Sequence, residues 1–265
     1  MKSNDSRFQS LLRPNDFRSL DFAGESQSIS NRVKNFLKRW PNIFNLLKKV
    51  IGPDHSPASG FRLNAYIQKL FGPEIKDKIV LNVGSGTNRI HPEIINIDIF
   101  LFKNVDVAAD ISALPLPDAS VDGIICDTVL EHIENPDSAI REMSRVLKPE
   151  GVLVVIVPFL YPYHSSPNDF HRWTSEGVRR VLHSHGLRIE ELGVLGGPMG
   201  ALQGVLMHIF AILFSFGSRT FYFLLVQVFM ALLSPLKLLD LFFMRFPYSH
   251  EVASGIYAIA KKNAK

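Results

Sequence analysis

The chain has 265 residues, with 29 Lys and Arg against 25 Asp and Glu, a formal net charge of +4, 46% hydrophobic residues and one cysteine, Cys126. That length admits a substantial core, and a lone cysteine excludes a disulfide framework and suits a reducing compartment. No early apolar run marks the polar segment from Met1 to Arg32 as a secretion signal, so a cytoplasmic location is expected.

Residues 1 to about 30 read as a lead-in of mixed charge. Between Glu25 and Asp54 there is no acidic residue, while Arg32, Lys34, Lys38, Arg39, Lys48 and Lys49 alternate with Val33, Phe36, Leu37, Trp40, Ile43, Phe44, Leu47, Val50 and Ile51. The spacing predicts two short basic amphipathic helices around Pro41. Such helices fit a membrane interface, and they equally fit a cap packed on the following domain. With few basic residues and a large apolar face, nucleic acid is not an expected partner. A Gly, Pro and Ser linker at 52–60 closes this first unit, residues 1–60, and a helix from Arg62 to Leu70 opens the next.

The following apolar segments predict strands at Ile79–Val83, Ile94–Ile97, Val105–Ala109, Gly123–Asp127, Val152–Val157 and Leu187–Leu195. Helices are expected at Asp137–Leu147 and Ser175–His185, the latter with Thr174 as its N-cap and Gly186 as its stop. The first strand ends in Gly84-Ser85-Gly86, which reads as a sharp turn into a helix where a ligand lies against bare backbone. Asp98 and Asp110 close the next two strands. In an open α/β sheet that edge binds ligands, and two carboxylates there suit the ribose hydroxyls and the amine of an adenosine. Position 89 is Arg, where a dinucleotide-binding loop carries its third glycine.

From Val80-Leu-Asn-Val-Gly-Ser-Gly-Thr-Asn88 through Asp98, Asp110, Asp127-Thr-Val-Leu-Glu-His132 and Leu147-Lys-Pro-Glu-Gly151 to Pro158, the ordered motifs resemble the class I S-adenosylmethionine-dependent methyltransferases of the small-molecule type 11 group. The resemblance spans Ile79 to Val194 and resumes at Val252–Lys261. It implies a Rossmann-like α/β fold, a seven-stranded, mostly parallel sheet with an antiparallel last strand, built from residues 61–195 and 251–265. The implied cofactor is S-adenosyl-L-methionine. Gly84, Ser85 and Gly86 would pass under its methionine and ribose; Asp98 and Ile99 would hold the ribose; Asp110 and Ile111 would frame the adenine. Asp127 and Leu130-Glu131-His132 would lie beside the reactive methyl. The chain departs from the family at Asn82, where an acid is usual, and at Asn88, where a glycine is. Asn82 retains hydrogen bonds for the cofactor's amino group, without the charge.

After the fifth strand, Pro158-Phe-Leu-Tyr-Pro-Tyr-His164-Ser-Ser-Pro-Asn-Asp169-Phe-His171-Arg172-Trp-Thr reads as an acceptor-site wall. His164 or His171 is a candidate base with Asp169 to orient it, and His132 is a third; alternatively, Asp169 and Arg172 only pair to stabilise the loop. No spaced His and Cys set occurs, so no metal is expected.

Residues 196–250 form an apolar insertion between the last two strands. Ala201–Phe216, Phe221–Leu233 and Pro235–Phe246 are its runs, and neither of the first two reaches the length of about 20 residues needed to cross a bilayer. A shallow hairpin in one leaflet, beside the anionic lipid that the basic helices would favour, fits this pattern. The expected function is methyl transfer, most simply to oxygen, on a hydrophobic or lipid-linked acceptor at the inner face of a membrane. Two alternatives stay open: a soluble small-metabolite enzyme whose insertion is a dimer interface, making the chain a homo-oligomer, and a non-catalytic membrane module.

Overall fold

The computed structural model describes residues 58–164 and 167–264. The lead-in and both basic helices predicted within residues 1–57 lie outside the described residues.

Helix α1 (Leu63–Phe71) precedes β1 (Val80–Val83), β2 (Ile95–Asp98), β3 (Val107–Ala108) and β4 (Val121–Asp127). Helix α2 (Pro136–Val146) leads directly into β5 (Leu147–Pro158), and α3 (Ser175–Ser184) into β6 (Leu187–Val194). The insertion holds α4 (Pro198–Phe214), α5 (Arg219–Leu233) and α6 (Asp240–Phe243), and the chain closes with β7 (Gly255–Lys262).

The seven strands form one sheet in the order β3-β2-β1-β4-β5-β7-β6. Pairs among the first five strands are parallel, and β7 runs antiparallel to both β5 and β6. This is the Rossmann-like architecture, with its strand order reversing between β1 and β4, the position where such sheets bind ligands. Every residue of β1 and β2 is buried, as a sheet covered on both faces requires. One face packs against α2 and α3 through Ile140, Met143, Val178 and Leu182. The other packs against α1 through Ile67 and Phe71. Gly123 is fixed by that second face, since a Cβ there would come within 2.5 Å of the Phe71 ring.

Thr174 caps α3, its Oγ1 accepting from the Gly177 N–H at 3.1 Å, and Gly186 ends it at φ +71°. The structure corrects three expectations. No helix follows the glycine turn: residues 84–94 connect β1 to β2 by turns alone. Pro92 and a polar clasp take the helix's place. Arg89 Nη2 donates to both Asp106 oxygens at 2.8 Å and to the Asn104 carbonyl at 2.9 Å, while Nη1 donates to the Ile94 carbonyl at 3.1 Å. Side chains thus satisfy backbone groups that helical bonding satisfies elsewhere. The third strand shrinks from Val105–Ala109 to Val107–Ala108, because Asp106 is held in that clasp. Finally, the second and third apolar runs join. Helix α5, a 3₁₀ turn at Ser234–Leu239 and α6 are continuous from Arg219 to Phe243, 25 residues that are long and apolar enough to cross a membrane by length and composition.

Candidate functional site

Gly84 and Gly86 both adopt left-handed backbone, at φ +63° and +55°. Their surroundings differ. A Cβ on Gly84 would lie 2.4 Å from Val129 Cγ2, whereas one on Gly86 would meet nothing within 4 Å. Gly84 therefore seats the glycine turn on the exit of β4, and Gly86 borders open space. The Gly86 N–H donates to Asp98 Oδ2 at 2.7 Å, and Asp98 Oδ1 accepts from the Phe100 N–H at 2.9 Å. The turn and the end of β2 are thus in direct contact. The Ala109 N–H bonds the Asp98 carbonyl at 2.9 Å, which puts Asp110 at the same edge; its exposed carboxylate accepts from the Ser112 N–H at 2.8 Å. Ile99 is half-buried and Ile111 buried beside them. The Ser85 hydroxyl is buried and has no hydrogen-bond partner among the described residues. A buried hydroxyl lacking a partner, open space over Gly86 and two carboxylates fit a nucleoside with polar substituents.

The two departures from the family pattern have local partners. Asn82 Nδ2 donates to Asn96 Oδ1 at 3.1 Å, and fully buried Asn96 donates in turn to the Asn88 and Asn104 carbonyls at 2.9 Å each. A neutral Asn82 suits this amide chain, because an unpaired carboxylate beside fully buried Asn96 would carry a large desolvation cost. Asn88 acts through its backbone carbonyl.

The exit of β4 carries the second half of the site. Half-buried Asp127 ends the strand, and Thr128 follows at φ +53°, a costly conformation for a β-branched residue and one that recurs at functional sites. Beyond Val129, a 3₁₀ turn at Leu130–His132 sets Glu131 at zero exposure, with no hydrogen bond to either carboxylate oxygen among the described residues. Two imidazoles face it: His164 Nε2 lies 3.6 Å and His132 Nε2 3.9 Å from Glu131 Oε1. Asp169 accepts from the His164 N–H at 2.8 Å and is gripped by Arg172 at 2.5 and 2.6 Å. Burial opposes its charge, but Arg172 and the His164 N–H outweigh it and hold the carboxyl down at about 2. For His164, burial disfavours the cation, yet Glu131, the Pro162 carbonyl and Asp169 together raise its pKa above the usual 6.5. His171 is turned elsewhere, with Nε2 3.2 Å from the Glu134 carbonyl.

The structure therefore gathers His132, His164 and Asp169 and leaves His171 apart. It adds Glu131, which sequence reasoning placed near the methyl without giving it a role; an acid set between Leu130 and His132 in an otherwise apolar stretch was the available signal. The sequence offered no spaced His and Cys set, but the fold brings three possible ligands together. Glu131, His132 and His164 offer ligand atoms within 4.8 Å of one another, and contact across β5, not spacing along the chain, assembles them.

The apolar insertion folds back on itself. Asp240 accepts from the Met199 and Gly200 N–H groups at 2.9 and 3.1 Å, capping α4 from the far end of the hairpin. Between the helices, Gln203 is 1% exposed and donates to the Met230 carbonyl at 2.8 Å, and His208 meets the Tyr222 hydroxyl at 2.6 Å. Apolar side chains face outward, with Phe216 at the tip 91% exposed.

A family described as methyltransferase domain matches residues 81–155. A probable S-adenosylmethionine-dependent methyltransferase of Mycolicibacterium smegmatis is 34% identical over 104 residues, covering 36% of this chain and 40% of that protein. One of Mycobacterium tuberculosis is 40% identical over 67 residues, 24% of each chain. An uncharacterized protein of Methanocaldococcus jannaschii is 30% identical over 142 residues, 47% of this chain and 60% of its own. The chain thus spans less than half the length of the two mycobacterial relatives. Among solved structures, phosphoethanolamine N-methyltransferase 2 of Haemonchus contortus aligns with a TM-score of 0.49 at 15% identity, over 87% of this chain and 60% of that one.

Proposed function

We propose, from the match of residues 81–155 to a methyltransferase domain, that the chain is a class I S-adenosylmethionine-dependent methyltransferase of the type 11 group that methylates an oxygen of a hydrophobic or lipid-linked acceptor at the cytoplasmic face of a membrane. The bound cofactor supplies an electrophilic sulfonium methyl. Gly84, Ser85 and Gly86 flank it, with the Ser85 hydroxyl free to receive or give a hydrogen bond. Asp98 and Ile99 would hold the ribose, Asp110 and Ile111 would frame the adenine, and Asn82 and Asp127 would border the remaining edge. Methyl transfer needs no covalent nucleophile from the protein; alignment, exclusion of water and stabilisation of the acceptor oxygen suffice. Glu131, His132 and His164, braced by the Asp169–Arg172 pair, form the wall that receives the acceptor hydroxyl and favours loss of its proton.

The observation that carries the membrane reading is the inverted hairpin. Its polar groups Gln203, His208 and Tyr222 are turned inward, while Ile212, Leu213, Phe216 and Phe221 are more than half exposed. Apolar surface on that scale marks a membrane or protein contact. Helix α4 is about 25 Å long at 1.5 Å per residue, short of the roughly 30 Å hydrocarbon thickness, so a hairpin dipping into one leaflet is favoured.

The test combines two measurements on the full chain. Tritiated methyl groups from S-adenosylmethionine should enter the lipid fraction of a cell extract, and the protein should sediment with anionic liposomes. Label confined to water-soluble material, with no liposome binding and a stable dimer, would establish the soluble enzyme instead. Calorimetry without heat from S-adenosylmethionine would establish the non-catalytic module.

A further inference from the structure

Three lone-pair acceptors converge at the exit of β4. Glu131 Oε1 faces Nε2 of His164 at 3.6 Å and Nε2 of His132 at 3.9 Å, and the His132 and His164 rings stand edge to face with centroids 5.2 Å apart. The opposite nitrogen of each ring is engaged. His132 Nδ1 lies 2.5 Å from the Asn168 carbonyl; His164 Nδ1 lies 3.1 Å from the Pro162 carbonyl and 3.4 Å from Asp169 Oδ2. Those oxygens only accept, so in each ring's neutral form the proton sits on Nδ1 and Nε2 offers its lone pair toward Glu131. The Glu131 side chain is fully buried, and neither of its oxygens accepts a hydrogen bond among the described residues. Acceptors that face one another around a buried carboxylate call for a cation between them.

We propose that Glu131 Oε1, His132 Nε2 and His164 Nε2 bind one divalent transition-metal ion, with zinc as the fitting chemistry, and leave a fourth position open. Two imidazoles and a carboxylate with one vacancy form a zinc set of the catalytic kind. Ligand atoms about 2.1 Å from a tetrahedral centre sit about 3.4 Å apart; the two Glu131 distances are 3.6 and 3.9 Å and all three atoms lie within 4.8 Å of one another, so ring rotations that draw the imidazoles together close the site. The carbonyls behind each Nδ1 supply the outer hydrogen bonds that orient metal-binding histidines. The side chains of His132 and His164 are 15% and 35% exposed, which leaves an accessible side to the site. An acceptor hydroxyl entering the fourth position would lose its proton more readily. That last role rests on the methyl-transfer reading; metal binding itself does not.

The test uses Co²⁺ as a spectroscopic probe on the full chain after chelator treatment. One Co²⁺ should bind per chain, with the visible d–d absorption of a low-coordinate site, and Zn²⁺ should displace it. Glu131→Gln and His164→Asn should each weaken the affinity at least about tenfold, while exposed His183→Ala should leave it unchanged. If Glu131→Gln does not fold, His164→Asn alone decides. Absent d–d absorption, or unchanged affinity in the folded variants, overturns the proposal. Calorimetry with S-adenosylmethionine on the same preparations separates the two readings: heat without a cobalt site removes the metal only, and a cobalt site without heat removes the cofactor only.

Discussion

Gly84 and Gly86 share a backbone conformation but resist substitution for different reasons. Alanine at Gly86 meets only the left-handed penalty of about 1 kcal/mol. Alanine at Gly84 adds the collision with Val129, about 1–3 kcal/mol more, and Val129→Ala in the same chain should restore part of that loss. Urea unfolding of the four variants measures both effects. Asp98→Ala should abolish detectable calorimetric heat from S-adenosylmethionine while lowering stability by only about 1–3 kcal/mol, since two backbone N–H groups lose a partly buried acceptor. Unchanged cofactor affinity in that variant would remove the ribose assignment. Residues of this first kind were legible in the sequence because glycine turns and acidic strand ends are local patterns. Glu131 was not, since its meaning comes from His164, which a whole strand separates from it. Asn82 was legible as a departure, but its partner Asn96 was not, because pairing between neighbouring strands has no signature within either one.

At the scale of elements, the helices that formed as predicted carry their own punctuation. Thr174 and Gly186 fix the ends of α3 through local bonds, so composition and spacing suffice there. The missing helix after β1 shows the opposite case. Its segment contains Asn88, Arg89 and Pro92, and the decisive contact, Arg89 with Asp106, joins two loops. Helix α4 likewise depends on a distant residue, for Asp240 supplies the cap that neither Gly197 nor Pro198 provides. Asp240→Ala should therefore lower stability by about 2–3 kcal/mol through two lost charge-assisted bonds. Limited proteolysis should also cut near Gly196 and Gly197 sooner than in the parent chain, and an unchanged cleavage pattern would show that the hairpin base is held by other contacts.

At the scale of the whole molecule, the sheet's ligand edge and the apolar hairpin belong to one connected body, since the hairpin leaves β6 and returns into β7. Hydropathy located the insertion, but only the fold showed that its polar residues point inward and that 219–243 is continuous. Phe216→Asp should reduce liposome sedimentation more than tenfold, given about 1.5–3 kcal/mol for burying a large apolar side chain. It should leave calorimetric heat from S-adenosylmethionine intact, because the tip contributes nothing to the glycine turn. Retained sedimentation would shift the membrane contact to another part of the chain.

Val129 touches the space that a Gly84 side chain would need, and two residues further on Glu131 faces both imidazoles. A single short peptide therefore joins the glycine turn to the imidazole pair, a contiguous route between the two proposed occupancies. Linkage then demands reciprocity: whatever factor S-adenosylmethionine applies to cobalt affinity, cobalt must apply to S-adenosylmethionine. Trimming Val129 to alanine should bring that shared factor close to one, uncoupling the two occupancies without deleting a ligand of either.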